Sequence, residues 1–131
     1  MNSCKVYVVN AALDRNDVTF ATKPNAQLRA VPYGTTTKQI VQVDDTPVGF
    51  SVYDISTSII ADITGMAIFI TVGRGGETLV EVKGKVNSDI KGLVSFVVTG
   101  LDNGFYSYDI SVRANNYTQS ILSGSYVVKK S

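Results

Sequence analysis

Carboxylates are the groups in this chain that could do acid–base chemistry near neutral pH, since its 131 residues include no His and a single Cys, Cys4. Two pairs stand out, Asp44-Asp45 and Asp14 with Asp17. Adjacent strand residues point to opposite faces, so Asp44 and Asp45 would not converge on one substrate, and Asp44-Asp45-Thr46-Pro47 reads as a solvated turn. Asp14-x-Asn16-Asp17 has the oxygen-rich look of a calcium loop but lacks the glycine and the distant bidentate glutamate that such loops use. Without His, and with one Cys, the usual transition-metal ligands and the Ser-His and Cys-His nucleophile pairs are missing. The expectation is a protein that is not an enzyme, with no catalytic residue, no metal site and no cofactor.

Two further motifs invite chemistry. Gly73-Arg74-Gly75-Gly76 resembles a phosphate-cradling loop, yet no helix start and no Gly-Lys-Ser/Thr follows; glycines between two strand runs suit a hairpin turn instead. Asn116-Tyr117-Thr118 meets the glycosylation pattern, but the N-terminus shows no charged leader followed by an apolar stretch, and the triplet reads as a loop. Tyr7, Tyr33, Tyr53, Tyr117 and Tyr126 offer rings for stacking on sugars, so a host-surface or glycan-binding module is the alternative function.

The elements that would position such groups are strands. Alternation dominates and no i, i+3, i+4, i+7 apolar stripe persists, so almost no helix is expected. Lys5 to Val9, Val18 to Ala21, Gln27 to Val31 and Lys38 to Val43 read as short strands, separated by Asp14-Arg15-Asn16-Asp17, Lys23-Pro24-Asn25 and Pro32-Tyr33-Gly34. A clearer series follows: Gly49 to Tyr53, Met66 to Val72, Thr78 to Gly84, Leu93 to Thr99, Phe105 to Arg113, and Gln119 to Lys129 interrupted at Ser123-Gly124. Returns every roughly 8–12 residues indicate a sandwich or barrel. Tyr106, Tyr108, Ile110 and Val112 share the core face, with Ser107, Asp109, Ser111 and Arg113 opposite.

The length suits one domain spanning residues 1–131, large enough to hold a core without staples. Twelve Lys and Arg against eleven Asp and Glu leave +1, without a basic stripe, so neither nucleic acid nor an anionic membrane is an expected partner. The longest apolar candidate, Ile59 to Val72, is broken by Asp62, Thr64, Gly65 and Thr71, short of a membrane helix.

Leu101-Asp102-Asn103-Gly104-Phe105-Tyr106-Ser107-Tyr108 resembles the Asp-x-Gly-x-Tyr-x-Cys opening of the sixth strand in immunoglobulin domains, with Tyr108 where the disulfide cysteine would lie. The resemblance implies that Asp102, Gly104 and Tyr106 form a tyrosine corner, a structural feature. A wider pattern joins Asp62-Ile63-Thr64-Gly65 and the following strand, Leu93-Val94-Ser95-Phe96, the Gly104-x-Tyr106-x-Tyr108 step, and Leu122-Ser123-Gly124-Ser125-Tyr126-Val127-Val128. It looks like the immunoglobulin-like N-terminal module of upper baseplate proteins from tailed phages of Gram-positive hosts. What that resemblance implies is an all-β immunoglobulin-like sandwich, with an additional hairpin or small sheet from the first 50 residues. It implies a structural virion protein, assembled in the host cytoplasm, in the tail or baseplate or decorating the capsid. Members of that family carry a long helical and fibre-forming continuation where this sequence stops at Ser131, which favours a compact adaptor, plug or decoration over an arm. Partners are then other virion proteins, in repeated copies or a homo-oligomer. Sheet edges supply the means: residues 1–12 form an N-terminal arm or edge strand, with Val6, Tyr7, Val8 and Val9 as the assembly edge.

Overall fold

Period-two alternation becomes strand throughout the computed structural model, which describes residues 27–33, 37–114 and 117–131 and, among them, no helix. Among the described residues ten strands follow in order: β1 Leu28–Pro32, β2 Ile40–Val43, β3 Val48–Asp54, β4 Ile59–Ile60, β5 Ala67–Arg74, β6 Glu77–Lys83, β7 Lys85–Val86, β8 Leu93–Phe96, β9 Gly104–Ala114 and β10 Tyr117–Lys129. The first sheet runs β1-β3-β8-β7, with β4 also paired to β3; the second runs β2-β10-β9-β5-β6. Every pair is antiparallel except β2 with β10, which is parallel from Tyr126↔Ile40 to Lys129↔Val43. Successive strands β1 and β2 lie in different sheets, so the opening of the described chain serves both layers. This is an immunoglobulin-like β-sandwich. Both strands belong to the main sheets. An additional hairpin or small sheet was expected from the first 50 residues; the other two strand stretches of that region, Lys5 to Val9 and Val18 to Ala21, lie outside the described residues.

Alternation decides which face each strand buries. In β9, Tyr106, Tyr108, Ile110 and Val112 are buried, and Ile110 pairs Ile70 of β5, also buried. Ile68, Ile70 and Val72 of β5 face Phe50 and Val52 of β3 and Val94 and Phe96 of β8 within one core cluster. Burying each such side chain is worth about 1.5–3 kcal/mol, and these two facing rows are what hold the sheets together. A chain of rings crosses between the layers: Phe96 and Phe50 are 5.8 Å apart edge-on, Phe50 and Tyr108 5.9 Å, Tyr108 and Tyr126 6.0 Å. Phe50 meets Tyr108 where immunoglobulin domains carry an inter-sheet disulfide, so aromatic packing does that work here.

Turns follow their glycines. Gly75 and Gly76, at φ of 62° and 83°, make the tight β5–β6 connection between the paired Arg74 and Glu77, as a mirror-image two-residue turn requires. The Gly73-Arg74-Gly75-Gly76 run is thus a hairpin. Gly73 serves a different need, since a Cβ there would sit 2.1 Å from the Glu77 carbonyl oxygen.

The structure departs from the expected strands in three places. Strands β4 and β7 are two residues each, too short to show alternation. Strand β8 ends at Phe96 rather than Thr99. Strand β10 continues through Ser123-Gly124, because Gly124 answers a close approach and not a reversal: a Cβ there would lie 2.8 Å from the Lys38 carbonyl oxygen and 3.1 Å from the Tyr108 ring. The register shift sits nearby instead, at Ile110/Ser111, where β10 contributes Ile121 as an extra residue and turns it into the core at 1% exposure.

Candidate interaction surface

The start of β9 is locked from three sides. The Tyr106 hydroxyl donates to the Asp102 carbonyl oxygen at 2.7 Å, the arrangement of a tyrosine corner. Gly104 has a φ of 153°, and a Cβ there would lie 3.1 Å from Arg74 Nη2. Arg74 lies over the Tyr106 ring at 4.3 Å and donates through Nε to the Phe105 carbonyl oxygen at 3.3 Å. Asp102, Gly104, Tyr106 and Arg74 therefore act together to set the direction of β9. Replacing Tyr106 with phenylalanine removes one hydrogen bond from a nearly buried ring, and should lower the stability read from urea unfolding by about 1 kcal/mol.

That locked start holds Phe105 outward, 75% exposed. Phe105 stands opposite Val127 of β10, which stands opposite Val41 of β2. Side chains directly across a sheet share a face, so the three form an apolar row on the outer face of the second sheet. Val41 is 48% exposed and Val43, two residues along, 53%, while Val127 is buried. At the other end of this face, Arg113 lies over the Phe69 ring at 4.1 Å and pairs with Glu81, so Phe69 is covered. Being half exposed, that ion pair contributes little to stability. Phe105 has no such cover among the described residues.

β2 closes one edge of the second sheet and its outer side has no strand neighbour among the described residues. Its inner side is anchored by a buried polar network. Gln42, 2% exposed, donates through Nε2 to the Val98 carbonyl oxygen at 2.7 Å and accepts at Oε1 from the Tyr126 hydroxyl at 2.6 Å. The Tyr108 hydroxyl donates to the Lys38 carbonyl oxygen at 2.7 Å. Nothing in the sequence pattern singles out Gln42. Burial pushes the Tyr108 hydroxyl up to about 12 and raises Tyr126 as well.

Those raised values fix the sign of an alkaline transition. Below pH 10 both tyrosines are neutral in folded and unfolded chains alike. Above it the unfolded chain loses protons first, so stability should fall through the window from 10.0 to about 12 set by Tyr108, at about 1.4 kcal/mol per pH unit for each tyrosine. Urea midpoints measured from pH 8 to pH 12 should be flat and then drop.

The carboxylates take structural places. Asp44, at φ 53°, accepts the Ser131 backbone N–H and hydroxyl, each at 2.9 Å. These bonds, with a smaller contribution from Lys130, hold its carboxyl below the usual range. Asp45 lies exposed beside it in the turn. Asp62 caps the Thr64 N–H at 3.1 Å. Among the described residues no three His, Cys, Asp or Glu side chains gather as a metal site would need. Cys4, the Asp14/Asp17 pair and the edge residues Val6, Tyr7, Val8 and Val9 lie outside the described residues. Of the tyrosines offered for stacking, Tyr33 is 55% exposed, but Tyr126 is fully buried and serves the Gln42 network instead of a ligand platform.

No protein-family model matches the chain, and no curated protein does. Among solved structures it is similar to CopC from Methylosinus trichosporium OB3b, with a TM-score of 0.50 and 12% identity over 79% of this chain and 95% of that one. The likeness is one of fold. A DUF4784 family protein from Bacteroides caccae aligns with a TM-score of 0.44 and 12% identity over 79% of this chain, which spans 23% of that protein's length.

Proposed function

We propose that the chain is a non-enzymatic structural component of a tailed-phage virion, an immunoglobulin-like module that docks onto other virion proteins in the tail or baseplate or on the capsid surface. The observation that carries this reading is the apolar row Phe105, Val127 and Val41 beside the open outer side of β2. An exposed apolar patch next to an unpaired sheet edge is a binding feature, because one partner can both cover the side chains and satisfy the backbone row. The two tyrosines with raised pKa values, Tyr108 and Tyr126, are core members bonded to backbone and Gln42, and burial alone accounts for their shifts. The resemblance of its turn and core motifs to those of baseplate modules supports the virion setting.

The test is incorporation. Tailed particles purified on a density gradient from the source culture should contain the protein in repeated copies. Phe105→Asp combined with Val41→Asp should reduce that incorporation at least tenfold while leaving the urea midpoint of the isolated protein in place. Intact particles lacking the protein, or normal incorporation of the double variant, would overturn the reading.

A further inference from the structure

Backbone direction along β2 decides what its open side can bind. The Asp44 N–H donates to the Lys129 carbonyl oxygen of β10 at 2.7 Å, and the Lys38 carbonyl oxygen also points inward, to the Tyr108 hydroxyl. Backbone groups alternate along a strand, so the even positions serve the interior and β10, while Gln39, Val41 and Val43 turn theirs to the side with no strand neighbour among the described residues. One acceptor on that side is already filled. The Val43 carbonyl oxygen takes the Thr46 N–H at 3.2 Å and the Thr46 hydroxyl at 2.7 Å, which uses both its lone pairs. Along the same side runs an open groove of about 370 Å³, to which Gln39, Val41, Tyr33 and Pro47 contribute.

We infer that the occupant of this side is β2 of a second copy, paired antiparallel about a two-fold axis at Val41. A two-fold pair uses the same edge twice, so each copy must offer what the other needs. With the axis there, Val41 stands opposite the partner's Val41 and exchanges two hydrogen bonds with it. Each Val43 N–H meets the partner's Gln39 carbonyl oxygen; in this chain that oxygen takes one bond, from the Thr37 hydroxyl at 3.2 Å, and keeps a second lone pair. Directly opposed residues share a face, so the row of Phe105, Val127 and Val41 runs on through the partner's Val41, the partner's Val127 and the partner's Phe105. Charge agrees with that register. Position 38 falls opposite position 44, so the exposed Lys38 meets the partner's Asp44 and the adjoining, exposed acid of position 45 at both ends of the pairing.

Neighbouring registers lose these matches. An axis at Gln42 aims each Val41 N–H at the partner's Val43 carbonyl oxygen, whose lone pairs the turn has filled. An axis at Ile40 sets Val41 against the partner's Gln39, which breaks the apolar row and carries Lys38 away from the acids. Any odd slip joins the outer face of one copy to the inner face of the other. The inference rests on the reading of β2 and the Phe105 row as a docking surface and names the first molecule to use it. The second copy satisfies the backbone row, and the doubled apolar row stays open to a different virion protein.

Sedimentation of the full chain and cysteine cross-linking test it together. The protein should form a dimer with a dissociation constant of about 100 µM or tighter. Lys38→Glu should weaken that dimer by about tenfold at low salt, and adding Asp45→Lys to the same chain should restore it, because the swapped charges again oppose each other. In a Cys4→Ser background, Val41→Cys should form a disulfide-linked dimer on mild oxidation, since hydrogen-bonded antiparallel partners lie about 5.5 Å apart at Cα, within disulfide reach. Val43→Cys should stay unlinked, its two copies being four residues apart along the strands, about 13 Å. A monomer at all concentrations overturns the inference. So does Val43→Cys linking as fast as Val41→Cys, or a charge swap that fails to restore the dimer. The density-gradient result is read separately: a monomer found in particles overturns this inference and leaves the virion reading standing, whereas a dimer missing from intact particles does the reverse.

Discussion

Phe50→Ala should lower the unfolding free energy by about 3–5 kcal/mol, the range for deleting a fully buried aromatic side chain. Phe50 is 0% exposed and stands at the middle of the ring chain, 5.8 Å from Phe96 in its own sheet and 5.9 Å from Tyr108 in the other. Its removal therefore loses transfer energy, opens a cavity between two sheets that are pinned by their own hydrogen bonds, and breaks two ring contacts. With Cys4 as the chain's one cysteine, no disulfide within the chain limits the unfolded state, so the full loss should appear in the urea midpoint. Phe50→Leu, which keeps most of the volume, should cost less than half as much. Equal losses for the two variants would show that ring geometry, rather than filled volume, is what this position supplies.

Gln42→Ala should cost about 2–4 kcal/mol, although it removes a polar side chain. The reason is the pair of groups it strands: the Val98 carbonyl oxygen and the Tyr126 hydroxyl each lose a partner in the interior, at about 1–3 kcal/mol apiece. The prediction has a discriminating companion. Tyr126→Phe on the Gln42→Leu background should recover part of the loss, because it removes one of the stranded groups and keeps the volume. A double variant less stable than Gln42→Leu alone would mean that the tyrosine hydroxyl finds another partner once Gln42 is gone. Since Gln42 sits on β2, its loss should also loosen the edge beside the Phe105 row. Amide exchange at Asp44, whose N–H donates to the Lys129 carbonyl oxygen of β10, should rise more than at Ile68 or Ile70.

Much of the fold was legible because sheet formation with one buried face leaves a period-two record in the residues themselves. The faces of β9 follow directly from Tyr106, Tyr108, Ile110 and Val112 alternating with polar neighbours, and the β5–β6 turn from adjacent glycines. The tyrosine corner was visible for a related reason, since its donor and acceptor lie only four residues apart. Local spacing sufficed wherever both partners of an interaction are close along the chain.

What required the tertiary structure were interactions between residues far apart. The Tyr126–Gln42 bond spans 84 residues and the Gln42–Val98 bond 56, and no local pattern marks one glutamine among others as buried. Gly124 looked like a break because a glycine's need for space beside it is indistinguishable, in sequence, from a need for positive φ. The row of Phe105, Val127 and Val41, exposed at its two ends, is assembled from three strands, one of them parallel to its neighbour. Strand residues declare which side they face, but only the pairing order of the sheet brings those sides together into a surface.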